Sequence, residues 1–374
     1  MKKNLFLKKL PWLVPSLLVI GLGIYAIVEL LISGLIPSGY GLTLAAAYAL
    51  VSALVLFLTL RYFKTKGRRV LARTLAVLIM ILVLLVSVVG LYAVKRSVDI
   101  IERVSTNEGA VSIQTAKSFN VYISGIDTYG DIGKTSRSDV NIVATVNPDT
   151  RKILLTTVPR DAYVSIALGG NDGMDKLTHA GNYGVESSMK TVARLLDTDI
   201  DAYVRINFTS FIESIDTIGG ITVNNPVAFK IDGVEFPQGQ LELDGKKALL
   251  YSRERKSLAG GDVDRGKNQQ RVIEGVVAKM SSVRSVSGFE SLLNMIGGSV
   301  QTNLSSSTLK QLINQQIAKP SGWSTESYTI TGRGQTGGLP SYAMPGSQLY
   351  MYVLGEDSVT SAKDKIRGTL DSSI

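Results

Sequence analysis

Three long apolar stretches near the start constrain this chain more than anything that follows them. Trp12 to Ile36 carries a single charge, Glu29, and Tyr40 to Leu60 and Thr74 to Val94 carry none. A helix of about 20 residues crosses a hydrocarbon core, and each stretch is long enough. The sequence therefore predicts transmembrane helices over about 12–36, 40–60 and 74–94, a membrane anchor occupying residues 1–95. A cleaved signal peptide would explain the first stretch alone, with two further spans directly behind it unexplained.

Basic residues orient the anchor. Lys2, Lys3, Lys8 and Lys9 precede the first span, and Arg61, Lys64, Lys66, Arg68, Arg69 and Arg73 lie between the second and third. The turn from Ser33 to Gly39 has no charge. The positive-inside rule places the N-terminus and the second loop in the cytoplasm, and everything after Lys95 outside. Lys95 and Arg96 oppose that orientation weakly, and Glu29 falls near the outer interface. A net charge of +9 with a mean hydropathy of +0.19 thus reads as membrane segments with basic flanks, and no nucleic-acid partner is expected.

Composition removes several chemistries. There is no cysteine, so disulfides, thiolate nucleophiles and cysteine zinc sites are excluded. His179 is the only histidine, which excludes a histidine-rich metal site. Any metal would be held by carboxylates, favouring Mg²⁺, Mn²⁺ or Ca²⁺. No Gly-x-Ser-x-Gly elbow and no Walker-type glycine loop occurs.

Residues 96–117 are polar and read as a juxtamembrane linker, leaving 118–374 as the external domain. Strands are expected at Phe119–Ile126, Asp139–Val146 and Lys152–Val158, the last two joined as a hairpin by Asn147-Pro148-Asp149-Thr150. Helical spacing marks Val185–Leu196, Phe208–Ile218, Asp244–Tyr251, Arg265–Val283, Phe289–Val300 and Ser306–Ile317, with Asp244 and Asp264 as caps. Ala202–Asn207, Ile221–Phe229 (broken by Pro226) and Trp323–Thr331 read as further strands, and a helix is expected near the C-terminal end. This mixture predicts an α/β (α+β) sandwich with a central mixed sheet flanked by helices, preceded by three transmembrane helices.

Polar residues gather in islands at the ends of these elements: Asp127; Arg137-Ser138-Asp139; Pro159-Arg160-Asp161; and the run from Ser252 to Arg271. That last run contains Arg253 and Arg255, which would diverge by roughly 200° on a helix but share a side if extended. If both serve one ligand, the chain should leave helical geometry near Ser252. Arg265 and Gln269 are four apart and share a helix face. Arginine forks suit phosphate oxygens, and two carboxylates can hold Mg²⁺ whose remaining positions go to water and phosphate. Taken together the islands form a pyrophosphate-binding inventory. Taken singly each is also consistent with a turn cap, an exposed loop or a surface ion pair, and His179 with a local hydrogen bond.

Gly125-Ile126-Asp127, Arg137-Ser138-Asp139, Val158-Pro159-Arg160-Asp161, Lys176-Leu177-Thr178-His179-Ala180, Asp216-Thr217-Ile218-Gly219-Gly220-Ile221, Tyr251-Ser252-Arg253-Glu254-Arg255 and Asp262-Val263-Asp264-Arg265-Gly266-Lys267-Asn268-Gln269 together resemble the LytR-CpsA-Psr family. The resemblance is strong from about Ser118 to Met280, and the start resembles the family's capsule-type members, some of which carry an accessory domain where this chain has only its linker. It implies a cell-membrane enzyme of Gram-positive type that moves a glycopolymer, such as teichoic acid or capsular polysaccharide, from a polyprenyl-pyrophosphate carrier to a peptidoglycan acceptor as a phosphodiester. It also implies a core pocket for the lipid tail. Carried over by match, Asp127 and Asp139 would be ligands for Mg²⁺, with Mn²⁺ as an alternative. Arg137, Arg160, Arg253, Arg255, Arg265 and Gln269 would hold the pyrophosphate. Those arginines and Asp262 would form the catalytic set, the role of Asp262 being unassigned and the general base open among Asp161, Asp262 and Asp264. The same inventory would serve a polyprenyl-pyrophosphate hydrolase, or a non-catalytic regulator binding lipid or glycan.

Overall fold

A computed structural model describes residues 10–61, 65–104, 110–130, 132–133, 135–281 and 300–372. The chain divides into two compact units, one of Met1–Asp99 with Lys310–Lys319 and the other of Ile100–Leu309 with Pro320–Ile374. Among the described residues, α1 (Leu10–Ser33), α2 (Ser38–Leu60) and α3 (Lys66–Val104), the last running on past the end of the first unit's N-terminal segment, are the three helices long and apolar enough to cross a membrane. Polar contacts tie them: Tyr48 donates its phenol hydrogen toward the carbonyls of Val19 and Ile20, and Arg73 lies 5.0 Å from the centre of the Trp12 ring. α3 continues without a break to Val104, so the first part of the expected linker is helical.

The second unit is built on a six-stranded mixed sheet. Its strands are β1 (Phe119–Ile126), β2 (Ser138–Asn147), β3 (Lys152–Thr157), β6 (Ala202–Ile206), β11 (Gln301–Thr302) and β12 (Ser324–Thr329), in the order β11-β6-β1-β2-β3-β12. The hairpin β2–β3 and the pair β1–β2 are antiparallel, while β1–β6 and β3–β12 are parallel. Two short antiparallel pairs fall outside the sequence expectation, β4 (Tyr163–Ser165) with β5 (Met174–Lys176), and β13 (Gly332–Thr336) with β14 (Tyr350–Leu354). A three-residue strand is too short for apolar alternation to mark it.

Helices pack on both sheet faces, completely on one and only partly on the other. On one, Tyr122, Val143 and Leu154 pack with Val192 and Leu196 of α5 (Val185–Leu196) and with Ala362 and Ile366 of the C-terminal helix Glu356–Asp371. α5 follows the short helix α4 (Leu177–Ala180). On the other face, Ile142, Ala144 and Leu155 meet Ile273 of α8 (Asp262–Ser281). α8 is anchored by Gln270, whose amide donates to the carbonyls of Leu155 (3.1 Å) and Tyr328 (2.9 Å).

A smaller core joins α6 (Phe208–Thr217), α7 (Gly245–Arg253) and α8 to β7 (Ile221–Asn225), β8 (Phe229–Ile231), β9 (Val234–Phe236) and β10 (Gly239–Leu243). Pro226 breaks the expected Ile221–Phe229 strand as the sequence predicts, into β7 and β8, since proline cannot donate to a ladder. α7 is capped as expected, Asp244 accepting from the Lys247 amide at 2.8 Å. α8 differs: it begins at Asp262, so Asp264 is inside its first turn rather than capping it, accepting from the Gly260 amide and from Lys267. The helix expected at Phe289–Val300 lies almost wholly outside the described residues, as do Lys2, Lys3, Lys8, Lys9 and Lys64.

Candidate functional site

The open face of the sheet holds a cavity of about 340 Å³. Its floor comes from β1 and β2. A bulge at Gly125/Ile126 breaks the alternation of β1, so that Gly125, Ile126 and Asp127 line the cavity in succession. A Cβ on Gly125 would sit 2.7 Å from Val140 Cγ2, so glycine is what lets β1 and β2 approach here. Asp139 and Val140 of β2 complete the floor. The start of β2 is held by a buried polar knot in which Ser138 Oγ meets Ser124 Oγ at 2.9 Å, and Tyr122 donates to Asn141 Oδ1 at 2.5 Å. Burial pushes the Tyr122 phenol up to about 12, so it stays a donor at any physiological pH.

Arg253, Arg255, Arg265 and Gln269 line the same cavity from α7, the following loop and α8. The chain leaves helical geometry at Glu254, two residues beyond Ser252, so Arg253 is the last helical residue and not half of an extended pair. Glu254 is extended (φ −66, ψ 131), and Arg253 and Arg255 still reach one cavity. Arg253 lies 4.7 Å from the centre of the Phe208 ring, a cation–π contact that fixes it at the cavity wall. Gln269 donates toward the Ser252 carbonyl at 3.4 Å and Asn268 to that of Tyr251 at 3.2 Å, so α8 ties down the end of α7.

Arg160 joins the two sides. It is 2.8 Å from Asp139, 3.7 Å from Asp161 and 4.0 Å from Asp262, and Arg265 is 2.5 Å from Asp262. Burial alone would lower the affinity of Arg160 for its proton, but the three carboxylates outweigh it and the net shift is upward. Burial wins at Arg265, whose pKa is lowered, and at Asp262, whose pKa is raised. Arg160 Nε and Arg265 Nε are buried without a hydrogen bond, whereas Asp262 Oδ1 is in ion-pair contact with Arg265 Nη2 at 2.5 Å. Orphaned donors of this kind are uncommon, and two of them beside one cavity suit an anionic ligand.

Arg137 is set apart. It is exposed in the loop before β2 and is not among the cavity-lining residues. His179 is buried and paired with Asp175 at 2.8 Å, the local hydrogen bond that its surroundings allow. Asp264 is turned to Gly260 and Lys267. Among the described residues no three His, Asp or Glu side chains gather as a metal site. Two carboxylates, Asp127 and Asp139, do line the cavity, and Asp139 Oδ1 already accepts from Arg160. That donor set suits Mg²⁺, which commonly takes one or two carboxylates and completes its shell with phosphate oxygens and water.

Residue spacing did not reveal the apolar side of the cavity. Ile123, Val140, Ile206, Phe208, Phe211, Leu249, Val272 and Ile273 line it, drawn from strands and helices far apart in sequence. Each belongs to an ordinary amphipathic element, so no local signal separates them from core. Lys176, which opens the Lys176-Leu177-Thr178-His179-Ala180 motif, is 2.9 Å from Asp161 and so a further polar neighbour of the site, a role the motif alone did not assign to it.

The LytR_cpsA_psr family model matches residues 87–356. Among curated proteins, the chain is 38% identical over 260 residues to the polyisoprenyl-teichoic acid–peptidoglycan teichoic acid transferase TagU of Enterococcus faecalis, covering 66% of this chain and 83% of that one. It is 37% identical over 205 residues to TagU of Bacillus subtilis, covering 54% and 66%. Among solved structures it resembles B. subtilis TagV (TM-score 0.58, 25% identity, 69% of this chain and 99% of that one). It also resembles TagT bound to LI-WTA (TM-score 0.54, 29% identity, 69% and 92%).

Proposed function

The chain belongs to the LytR-CpsA-Psr family, and on that premise we propose that it is a membrane-anchored transferase moving a teichoic acid or capsular glycopolymer from a polyprenyl-pyrophosphate carrier to peptidoglycan. The observation that carries this reading is the two-sided cavity. A lipid pyrophosphate is an apolar chain ending in concentrated negative charge. The cavity has an apolar side from Ile123 to Ile273 and a polar side of Arg160, Arg253, Arg255, Arg265 and Gln269. Teichoic acid transferases are the curated relatives, and TagT bound to LI-WTA is among the similar structures.

We assign the following parts. Arg253, Arg255 and Arg265 hold the pyrophosphate oxygens, with Gln269 donating an amide hydrogen beside them. Arg160, held by Asp139, Asp161 and Asp262, is oriented before substrate arrives. Asp127 and Asp139 would hold Mg²⁺ or Mn²⁺, which when bound would neutralise phosphate charge. A hydroxyl of the acceptor attacks the glycan-side phosphorus, an oxygen–phosphorus bond forms, and the bond to the polyprenyl phosphate breaks. Asp262 is the acid we favour for the hydroxyl proton, because it lies between Arg160 and Arg265 and burial raises its proton affinity. Arg137, exposed outside the cavity lining, would act only if its loop moved inward on the substrate.

The anchor supports the same reading. A carrier lipid stays in the bilayer, and α1 to α3 would keep the enzyme there, with the N-terminus cytoplasmic by the positive-inside rule and the start of a capsule-type member. The test is transfer from a synthetic lipid-linked glycan to peptidoglycan oligomers by the purified full chain. Arg255→Ala and Asp139→Ala should each abolish it, and undiminished transfer by both would sink the site assignment. Product analysis separates ligation from hydrolysis, which would release free phosphorylated glycan.

A further inference from the structure

Beyond the cavity, the unit carries an exposed aromatic surface that the proposed donor site does not use. Tyr183 and Tyr342 are 36% and 43% exposed, too open to be core. Each ring lies on a glycine of one loop, residues 167–173. A Cβ at Gly169 would stand 2.7 Å from Tyr183 Cβ, and one at Gly173 2.5 Å from the Tyr342 ring. Around these glycines the loop is strained. Leu168, Asn171 and Asp172 all have φ in the left-handed region (59, 49 and 57). Asn and Asp visit that region readily, but for a leucine that is also 52% exposed it is an outlier, and such strain persists where function requires it.

This surface borders the site by two routes. Tyr342 donates its backbone amide to the Met174 carbonyl at one end of β5, and Lys176 at the other end contacts Asp161, roughly 7 Å along the strand. Thr178 of α4 approaches Asp139 at 3.4 Å, and the chain then runs in helical turns to Tyr183, a rise of about 8–10 Å.

We propose that Tyr183 and Tyr342, laid on the 167–173 loop, form a shelf that binds the sugar chain of the acceptor and leads its hydroxyl toward the donor phosphate. The proposal rests on the transferase reading above. A pyranose has an apolar face of C–H groups rimmed by hydroxyls, which matches a flat ring with a polar tip. The shelf is interrupted by exposed Asn171, Asp172 and Asn182, which suit sugar hydroxyls and would not suit acyl chains. The lipid end of the donor has the cavity, which leaves two sugar chains, and of these we assign the acceptor glycan to the shelf; a raised donor KM with an unchanged acceptor KM in the tyrosine variants would assign it to the donor glycan and overturn the proposal.

The test uses the full chain in detergent micelles, with soluble uncross-linked peptidoglycan oligomers as acceptor. Tyr342→Ala and Tyr183→Ala should each raise the acceptor KM about tenfold and leave the donor KM and thermal midpoint at wild-type values. Tyr342→Phe keeps the ring and should retain most of the affinity. An unchanged acceptor KM in the double alanine variant overturns the shelf. Oligomer binding measured by calorimetry without donor separates this from the transferase reading. If the wild type binds the oligomer but transfers nothing, that reading fails, and the shelf stands or falls on whether Tyr342→Ala weakens the binding. Equal oligomer binding, with lost binding to anionic phospholipid vesicles, would assign the surface to the membrane and overturn the proposal.

Discussion

The two faces of the central sheet are made of the same kinds of residue and end differently. On one, Tyr122, Val143 and Leu154 are sealed under α5 and the C-terminal helix. On the other, Ile142 and Leu155 are equally buried, yet Ile123, Gly125 and Val140 beside them face a cavity. The difference lies in the cover. α5 presents Val192 and Leu196, which can press onto the sheet. α8 presents Arg265 and Gln269 as well as Val272 and Ile273. Arg265 is already buried against Asp262, but Arg253 and Arg255 beside it are exposed, and closing the cover over them would bury guanidinium groups at a desolvation penalty that outweighs the extra apolar burial. A sheet face therefore becomes a binding site when the helix over it carries charge that must keep company with something.

Four experiments would break or sharpen that comparison. The largest effect should fall on the open face: Arg265→Ala should lower transfer by about 10²–10³-fold, since it removes a donor aimed at phosphate charge, while the fold survives. Loss of folding along with transfer would mean that Arg265 serves packing as its counterparts on α5 do. Next, Leu154→Ala on the sealed face should destabilise by about 2–5 kcal/mol. Ile123→Ala, which only widens an existing cavity, should destabilise by less, and equal thermal shifts for the pair would erase the distinction between the faces.

Filling the cavity comes third. Ile273→Trp should raise the donor KM by about tenfold with the acceptor KM unchanged, because the ring occupies volume otherwise open to the lipid. A variant with normal donor KM would place the lipid elsewhere. The smallest effect concerns pH. Burial holds the Asp262 carboxyl above its ordinary range, so the folded chain keeps that proton to higher pH than the unfolded chain. Its contribution to stability is complete below the unfolded pKa and is lost as pH rises through the folded one. The thermal midpoint of the wild type should therefore fall relative to Asp262→Asn as pH rises from about 4. A pH-independent difference would show that Asp262 is not held in that state.

Much of the architecture was legible beforehand because its signals are local. Apolar runs marked α1 to α3, alternation and an Asn-Pro-Asp turn marked the β2–β3 hairpin, and Asp244 marked the start of α7. Misreadings arose where the signal was ambiguous by a turn: Asp262 and Asp264 are both plausible helix starters, and only the contacts of Gly260 and Lys267 show which is inside. Arg137 matched its motif as well as Arg160 did, yet only Arg160 has carboxylates on three sides.

By itself the sequence determined the three long apolar helices, the polar islands and the exclusion of thiol chemistry and of histidine-rich metal sites, because those follow from residue type and short-range spacing. Only the tertiary structure decided that Asp127, Asp139, Arg160, Arg253, Arg255, Arg265 and Gln269 share one cavity, and that its other side is apolar. The physical reason is that the cavity is a gap left between a sheet and a helix that cannot close on it. Such a gap depends on the packing of residues more than a hundred positions apart, from Ile123 to Ile273, and no local pattern encodes it.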